Sequence, residues 1–395
     1  MKEKLKDIDF IFEVGTWIFL AIFLIKPSIS SEMFIFYLLL SLFQIKKNGY
    51  KWLGLEPYMG LAMLGFAVSY IGNSDPKMGK YLIAQLKVFM FPLMIYQFKP
   101  IKNLEEKLFY FFGIAGVYGV LQILWIKSYK IGPNRYYAYM DFVMDSSIIA
   151  LMGYILAILF AIKFVKENKK LNVLLSSVMI GIFIYLVITQ QVRATYISFG
   201  IITLIMLGYI VYEIKNWKKY LILIGVLSVF LFGGYNLKNT NYARRLISIG
   251  NTKNNSSNLA RLHYWEKAIE CFKENPINGI GFRKFNKNNR ELEIKQKYKE
   301  SFTHAHNEFL GIIAELGIIG ALLWYLFKYK YILSAWKIKE NILGKYLLLI
   351  FIAFEIQNLF ESYIVNRNMY RLLFILMGLI LLSVKDRQLE KNVVG

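Results

Sequence analysis

The sequence predicts an all-α polytopic membrane protein, with about twelve transmembrane helices and a large outer, periplasmic loop between helices nine and ten. Three observations carry that expectation. Apolar runs of roughly 17 to 25 residues, long enough to cross a bilayer core, recur along the chain. Basic residues collect in every second gap between those runs. One polar segment is far longer than any other gap.

Composition agrees with the apolar runs. The 395 residues are 56% hydrophobic and 17% aromatic, and only 19% are charged, below the roughly 25% usual in soluble domains. Periodicity and apolar run length place spans near 10–25, 32–45, 52–71, 81–98, 108–126, 142–162, 171–189, 195–212, 220–236, 307–327, 344–363 and 369–384. The chain therefore divides into residues 1–236 with helices one to nine, 237–305 as the outer loop, and 306–395 with helices ten to twelve. Lys2, Lys4 and Lys6 before the run Phe10 to Ile25 read as a signal anchor, since no small-residue cleavage site follows.

The sided distribution of charge orients this map. One set of gaps, with both termini, holds 24 Lys and Arg, among them Lys328 to Lys345; the short gaps of the other set hold 9. The positive-inside rule makes the richer set cytoplasmic. This places both termini in the cytoplasm. The net charge of +22 is thereby explained largely by topology, and no nucleic-acid partner is expected. The outer loop carries 14 Lys and Arg against 6 Glu. That surplus suits either an anionic ligand or headgroup, or a solvated basic surface.

Within the loop, Asn258 is expected to cap a helix whose apolar face is Leu262, Trp265, Ile269 and Phe272. The helix should end at Asn275–Pro276, with Gly279 and Gly281 permitting a tight turn. Cys271 is the single cysteine, so no intramolecular disulfide forms; it reads as a small buried apolar residue.

The candidate chemistry lies on the predicted outer side. Arg193, in Thr189-Gln190-Gln191-Val192-Arg193, sits in a gap so short that it must lie at the membrane surface. It reads either as a phosphate clamp or as a snorkelling span end. Arg261 opens the loop helix, where an N-terminus already favours anions, or else is a solvated residue. Arg244 and Arg245 are a weaker pair of the same kind. All three histidines, His263, His304 and His306, fall in or beside the loop. His306 is a candidate general base for a sugar hydroxyl or an interfacial histidine bonded to backbone. A metal site would need His304 and His306 with His263 or Glu308, and no carboxylate cluster supports one. Glu361 should lie near the outer end of span eleven, where an ion pair with Arg367 is expected. No P-loop or Gly-rich dinucleotide turn is present.

His306-Asn307, then nine residues, then Gly317-Ile318-Ile319-Gly320 resembles the signature of bacterial O-antigen ligases, O-antigen polymerases and protein O-oligosaccharyltransferases. Arg261-Leu262-x-x-Trp265 through Pro276-x-x-Gly279-Ile280-Gly281 resembles the stretch before that signature. Thr189 to Arg193 resembles the family's arginine motif, with Gln191 where serine is usual. The motifs cover about residues 189 to 320. The resemblance implies a GT-C type glycosyltransferase that uses a glycan on undecaprenyl diphosphate and needs no metal or other cofactor. By that resemblance Arg193 and Arg261, aided by Arg244 and Arg245, hold the diphosphate and His306 serves the acceptor hydroxyl. His304, Asn307, Glu308 and Glu361 are secondary candidates. The expected function is O-antigen ligation onto lipid A–core. The alternatives are an O-antigen or capsular polymerase, with a second lipid-linked repeat as acceptor, and a lipid-glycan flippase. Membrane lipids complete the expected partners.

Overall fold

The structure is a computed structural model, and it describes residues 7–73, 75–126, 130–132, 135–136, 138–139, 143–214, 240–250, 256–285, 304–365 and 367–394. The chain is a multi-pass membrane protein: among these residues, nine helices are long and apolar enough to cross a membrane. Expected span nine, 220–236, lies outside the described residues. Spans three and eleven correspond to helices of 13 and 17 residues, Glu56–Val68 and Ile342–Asn358.

The helices form two compact units. The first comprises Met1–Leu104, Lys253–Leu348 and Asn358–Gly395; the second comprises Glu105–Thr252 and Leu349–Gln357. The first unit begins with α1 (Ile8–Ile25), whose amide of Asp9 is capped by the Asp7 carboxylate at 3.0 Å. There follow α2 (Ser30–Asn48), which ends at Gly49 with φ +79°, a left-handed exit that suits glycine, then α3 (Glu56–Val68) and α4 (Met78–Ile95).

The second unit holds α5 (Leu104–Leu121), extended by a π-helical turn at Gln122–Ile126. Strands β1 (Lys130–Gly132) and β2 (Arg135–Tyr136) then pair antiparallel. Next come α6 (Val143–Lys166), α7 (Lys170–Gln190), α8 (Arg193–Glu213) and the short α9 (Asn241–Ile247). The face of α6 is buried nearly all round, as its unbroken apolar sequence requires. Gly116 and Gly153 leave room for the Phe183 ring of α7 between α5 and α6. Hydroxyl pairs replace water inside this unit: Ser147 with Thr195 at 2.7 Å and Tyr154 with Thr203 at 2.9 Å.

The rest of the first unit is α10 (Ser256–Glu274), α11 (Glu308–Trp336), the ends of α12 (Ile342–Asn358) and α13 (Arg367–Val394). Its core is aromatic, with Phe66, Phe89, Trp324, Phe327 and Phe374 in mutual contact. Small residues let the helices approach. A methyl on Gly65 of α3 would lie 3.0 Å from the Cα of Gly320 on α11, and one on Gly378 of α13 would lie 2.9 Å from Pro92 of α4.

Two sequence expectations are corrected here. The loop helix begins no later than Ser256, so Asn258 lies inside it rather than capping it. Its packed face is Ala260, Tyr264, Ala268 and Cys271, set against Phe285, Ala305 and Ala314, while Leu262 and Ile269 are exposed. Small side chains allow closer approach than the large apolar ones that define the hydrophobic periodicity.

Candidate active site

The site is built by a break in α11. Gly317, at φ +63° and ψ −170°, interrupts the helix, a conformation only glycine adopts freely. The nine residues 308–316 fold back along the arm 318–336. Glu308 thereby meets Lys328 at 2.6 Å across twenty residues of sequence, and the Phe309 ring lies 5.9 Å from that of Tyr325. The single span expected over 307–327 is therefore two pieces. The 19 residues from 318 to 336 span roughly 28 Å by themselves.

The break frees backbone groups, and the loop segment after α10 takes them up. Ile280 and Gly281 donate to the carbonyls of Ala314 and Glu315 at 3.0 Å. Ile318 and Ile319 donate to Pro276 and Ile277 at 2.8 and 3.2 Å. A methyl on Gly317 would lie 2.5 Å from the Gly279 nitrogen. The two glycine motifs read in the sequence are thus one interlocked structure.

Asn307 caps the folded-back arm, its side chain accepting from Leu310 N–H at 3.0 Å. His306 just before it adopts φ +48°, a left-handed turn that is strained for a residue with a Cβ. The turn directs the His306 ring toward Glu361. Glu308 serves a different end. It is buried, accepts from Lys328 and from the Tyr370 hydroxyl at 2.7 Å, and receives the Ile364 amide at 3.3 Å. It ties the segment after α12 to α11, a structural task. Lys328 is accordingly inside α11 rather than in the gap that follows it.

Glu361 is the carboxylate that completes the histidine pair. His304 Nε2 lies 2.6 Å from its Oε1 and His306 Nδ1 lies 3.2 Å from its Oε2; the Ser362 amide donates to Oε1 at 3.1 Å. The two rings stand 4.3 Å apart. Burial pushes the Glu361 carboxyl up, but the two histidines and their hydrogen bonds outweigh burial and hold it well below the usual carboxylate range. Burial first, with neighbouring His304 and Arg261 adding to it, holds the His306 ring below the ordinary histidine value; Glu361 opposes this without reversing it. His306 is then a neutral imidazole near pH 7. With Glu361 ionised, the Nδ1 proton faces the carboxylate and the ring's lone pair sits on Nε2.

The ion pair expected between Glu361 and Arg367 does not form; Glu361 is occupied by the histidines, 55 and 57 residues earlier. Arg261, on α10, is half-buried and electrostatically coupled to His306. His263 pairs with Glu266 at 3.1 Å on the same helix, and is no part of the His304–His306 cluster.

Arg193 and Arg244 belong to the second unit. Arg193 opens α8 two residues after Gln191, which terminates α7 in a left-handed conformation at φ +52°. It is buried and its guanidinium lies 3.5 Å from the Ser248 carbonyl beyond α9, so it does not snorkel. Arg244 is exposed on α9, and the Arg245 side chain lies outside the described residues.

His304, His306 and Glu361 also present three ligand atoms within 4.8 Å of one another, a set able to hold a cation. Tetrahedral ligands at zinc distances stand about 3.3 Å apart. The 2.6 Å contact of His304 with Glu361 has the length of a charge-assisted hydrogen bond instead.

Residues 178–325 match the family model described as O-antigen ligase. The matched stretch runs from α7 into α11 and includes Arg193, Arg261, His304 and His306, while Glu361 lies beyond it. No curated protein matches the chain.

Proposed function

We propose, from the match of residues 178–325 to the O-antigen ligase family model, that the chain transfers a glycan from undecaprenyl diphosphate to an acceptor hydroxyl on the outer face of the bacterial inner membrane. The observation that carries this reading is the half-buried His306, held below the ordinary histidine value by desolvation, with Nδ1 on the Glu361 carboxylate. A neutral imidazole held by a carboxylate is a competent general base at physiological pH.

In the proposed reaction, His306 Nε2 takes the proton of the acceptor hydroxyl as its oxygen attacks the anomeric carbon. The bond from that carbon to the diphosphate oxygen breaks, and the lipid diphosphate leaves with the bonding pair. Glu361 stabilises the imidazolium formed. Arg261, coupled electrostatically to His306, faces the charge that develops on the diphosphate, which preorganised cations stabilise strongly. Arg193 is assigned to donor binding from the family motif, with Arg244 and Arg245 as weaker contributors. The lipid diphosphate supplies the activation, so the proposed reaction needs no metal or nucleotide.

Ligation to lipid A–core is the preferred reading; polymerisation onto a second lipid-linked repeat uses the same donor and residues. The glycan profile of a deletion strain separates them. Long chains retained on undecaprenyl diphosphate, with none on lipid A–core, support the ligase. Loss of the ladder with single repeats still reaching their final acceptor supports the polymerase. A normal profile contradicts both.

A further inference from the structure

Arginines on the predicted outer side run against the positive-inside pattern, and Arg367 and Arg371 are two of them. Arg367 opens α13 and Arg371 follows one turn later on the same face. Arg283 joins them from the turn after Gly281, its backbone at φ +67°. Its guanidinium donates to the Val365 carbonyl and lies 5.7 Å from the centre of the Tyr81 ring. Arg367 is electrostatically coupled to both Arg283 and Arg371. Three cations therefore gather about the first turn of a helix whose free amides already form a positive pole.

This charge is offset only in part, by Glu315 near Arg283. Among the described residues, no carboxylate forms an ion pair with any of the three. Glu361 is held by the histidines and Glu308 by Lys328. Glu315 is coupled to Arg283 but already accepts from backbone amides, including Phe285 N–H at 3.3 Å. Among the described residues, Arg283 Nε and Arg367 Nε and Nη1 are buried and meet no hydrogen-bond acceptor, while Arg371 donates to Asn368 Oδ1 at 2.9 Å. Desolvated guanidinium donors without acceptors, clustered at a helix N-terminus, are costly unless an anion completes them.

We propose that Arg283, Arg367 and Arg371 form a binding site for a phosphate-class oxyanion at the N-terminus of α13. A phosphate has enough oxygens to take a bidentate guanidinium fork and further donors at once. The site adjoins the catalytic candidates, because Arg283 reaches Val365, four residues beyond Glu361. Its ligand is either a phosphate carried by a saccharide substrate or the headgroup of an anionic lipid. The proposal does not rest on the transfer reaction, since it is tested by binding alone.

The test uses the full chain in phosphatidylcholine nanodiscs. Phenylglyoxal modification of each arginine is followed by mass spectrometry, with and without inorganic pyrophosphate, and with Arg387 as the reference. The expected result is at least a fivefold slowing at Arg283 and Arg367 under pyrophosphate, with none at Arg387. Slowing by phosphatidylglycerol in the disc, without pyrophosphate, assigns the site to a lipid headgroup; slowing by pyrophosphate alone assigns it to a substrate phosphate. Arg371→Gln should reduce the protection of Arg367, which keeps the proposal testable if Arg367→Gln does not fold. Equal reactivity in every condition overturns it. So do Arg283 and Arg367 that never react, because an anion site must admit its ligand.

Discussion

Glu308 and Lys328 lie 2.6 Å apart although twenty residues of one helical segment separate them, and the fold-back that joins them also delivers His306 to Glu361. The pair is buried on both sides, so breaking it leaves an uncompensated charge. Lys328→Met should cost about 3–5 kcal/mol of stability. The double variant Glu308→Gln with Lys328→Met should recover part of that loss. Unfolding in detergent, run as a double-mutant cycle, measures the coupling; additive losses would show that the pair does not hold the fold-back.

Gly317→Ala tests the break itself. The alanine must adopt φ +63° with its methyl against the Ile277 carbonyl. Left-handed strain and the clash together should cost about 3 kcal/mol or more. A thermal unfolding midpoint equal to that of the unaltered protein would contradict the interlock of Gly317 with Gly279.

Glu361→Gln should lower the transfer rate by about 10- to 100-fold and move the acid limb of the pH profile to lower pH. The sign follows from the partner: Glu361 raises the affinity of His306 for its proton, so its loss lets the ring lose that proton at lower pH. The base remains available in more acid solution but is weaker. A pH–rate profile of purified protein measures both effects, and an unmoved acid limb would separate Glu361 from the base.

Arg193→Ala should weaken donor affinity by roughly 10-fold or more, as expected for loss of a charge-assisted contact. Binding of the lipid-linked glycan measures it directly, and unchanged affinity would remove Arg193 from the donor site.

Treatment with a chelator, followed by gel filtration into metal-free buffer, should leave the transfer rate unchanged. Loss of activity restored by one divalent cation would instead make His304, His306 and Glu361 a metal centre.

The membrane-length helices were legible because apolar run length and sided charge are one-dimensional signals. The break at Gly317 was not, because Ile318 and Ile319 continue the apolar run past it. The packed face of the loop helix was missed for a related reason. Its contacts are made by Ala260, Ala268 and Cys271, whose small size permits close approach, while Leu262 and Ile269 dominate the hydrophobic pattern and face outward. His306 was visible through its motif. Its partner was not: Glu361 lies 55 residues away, and its own neighbours in sequence pointed to Arg367.

The central claim is that His306 is the base for glycan transfer. Its most direct test is the single-turnover rate of purified His306→Ala protein with lipid-linked donor and acceptor, alongside its unfolding midpoint and donor affinity. The account predicts a rate at least about 100-fold lower, with folding and donor binding retained. Full transfer activity in a folded His306→Ala protein would contradict it.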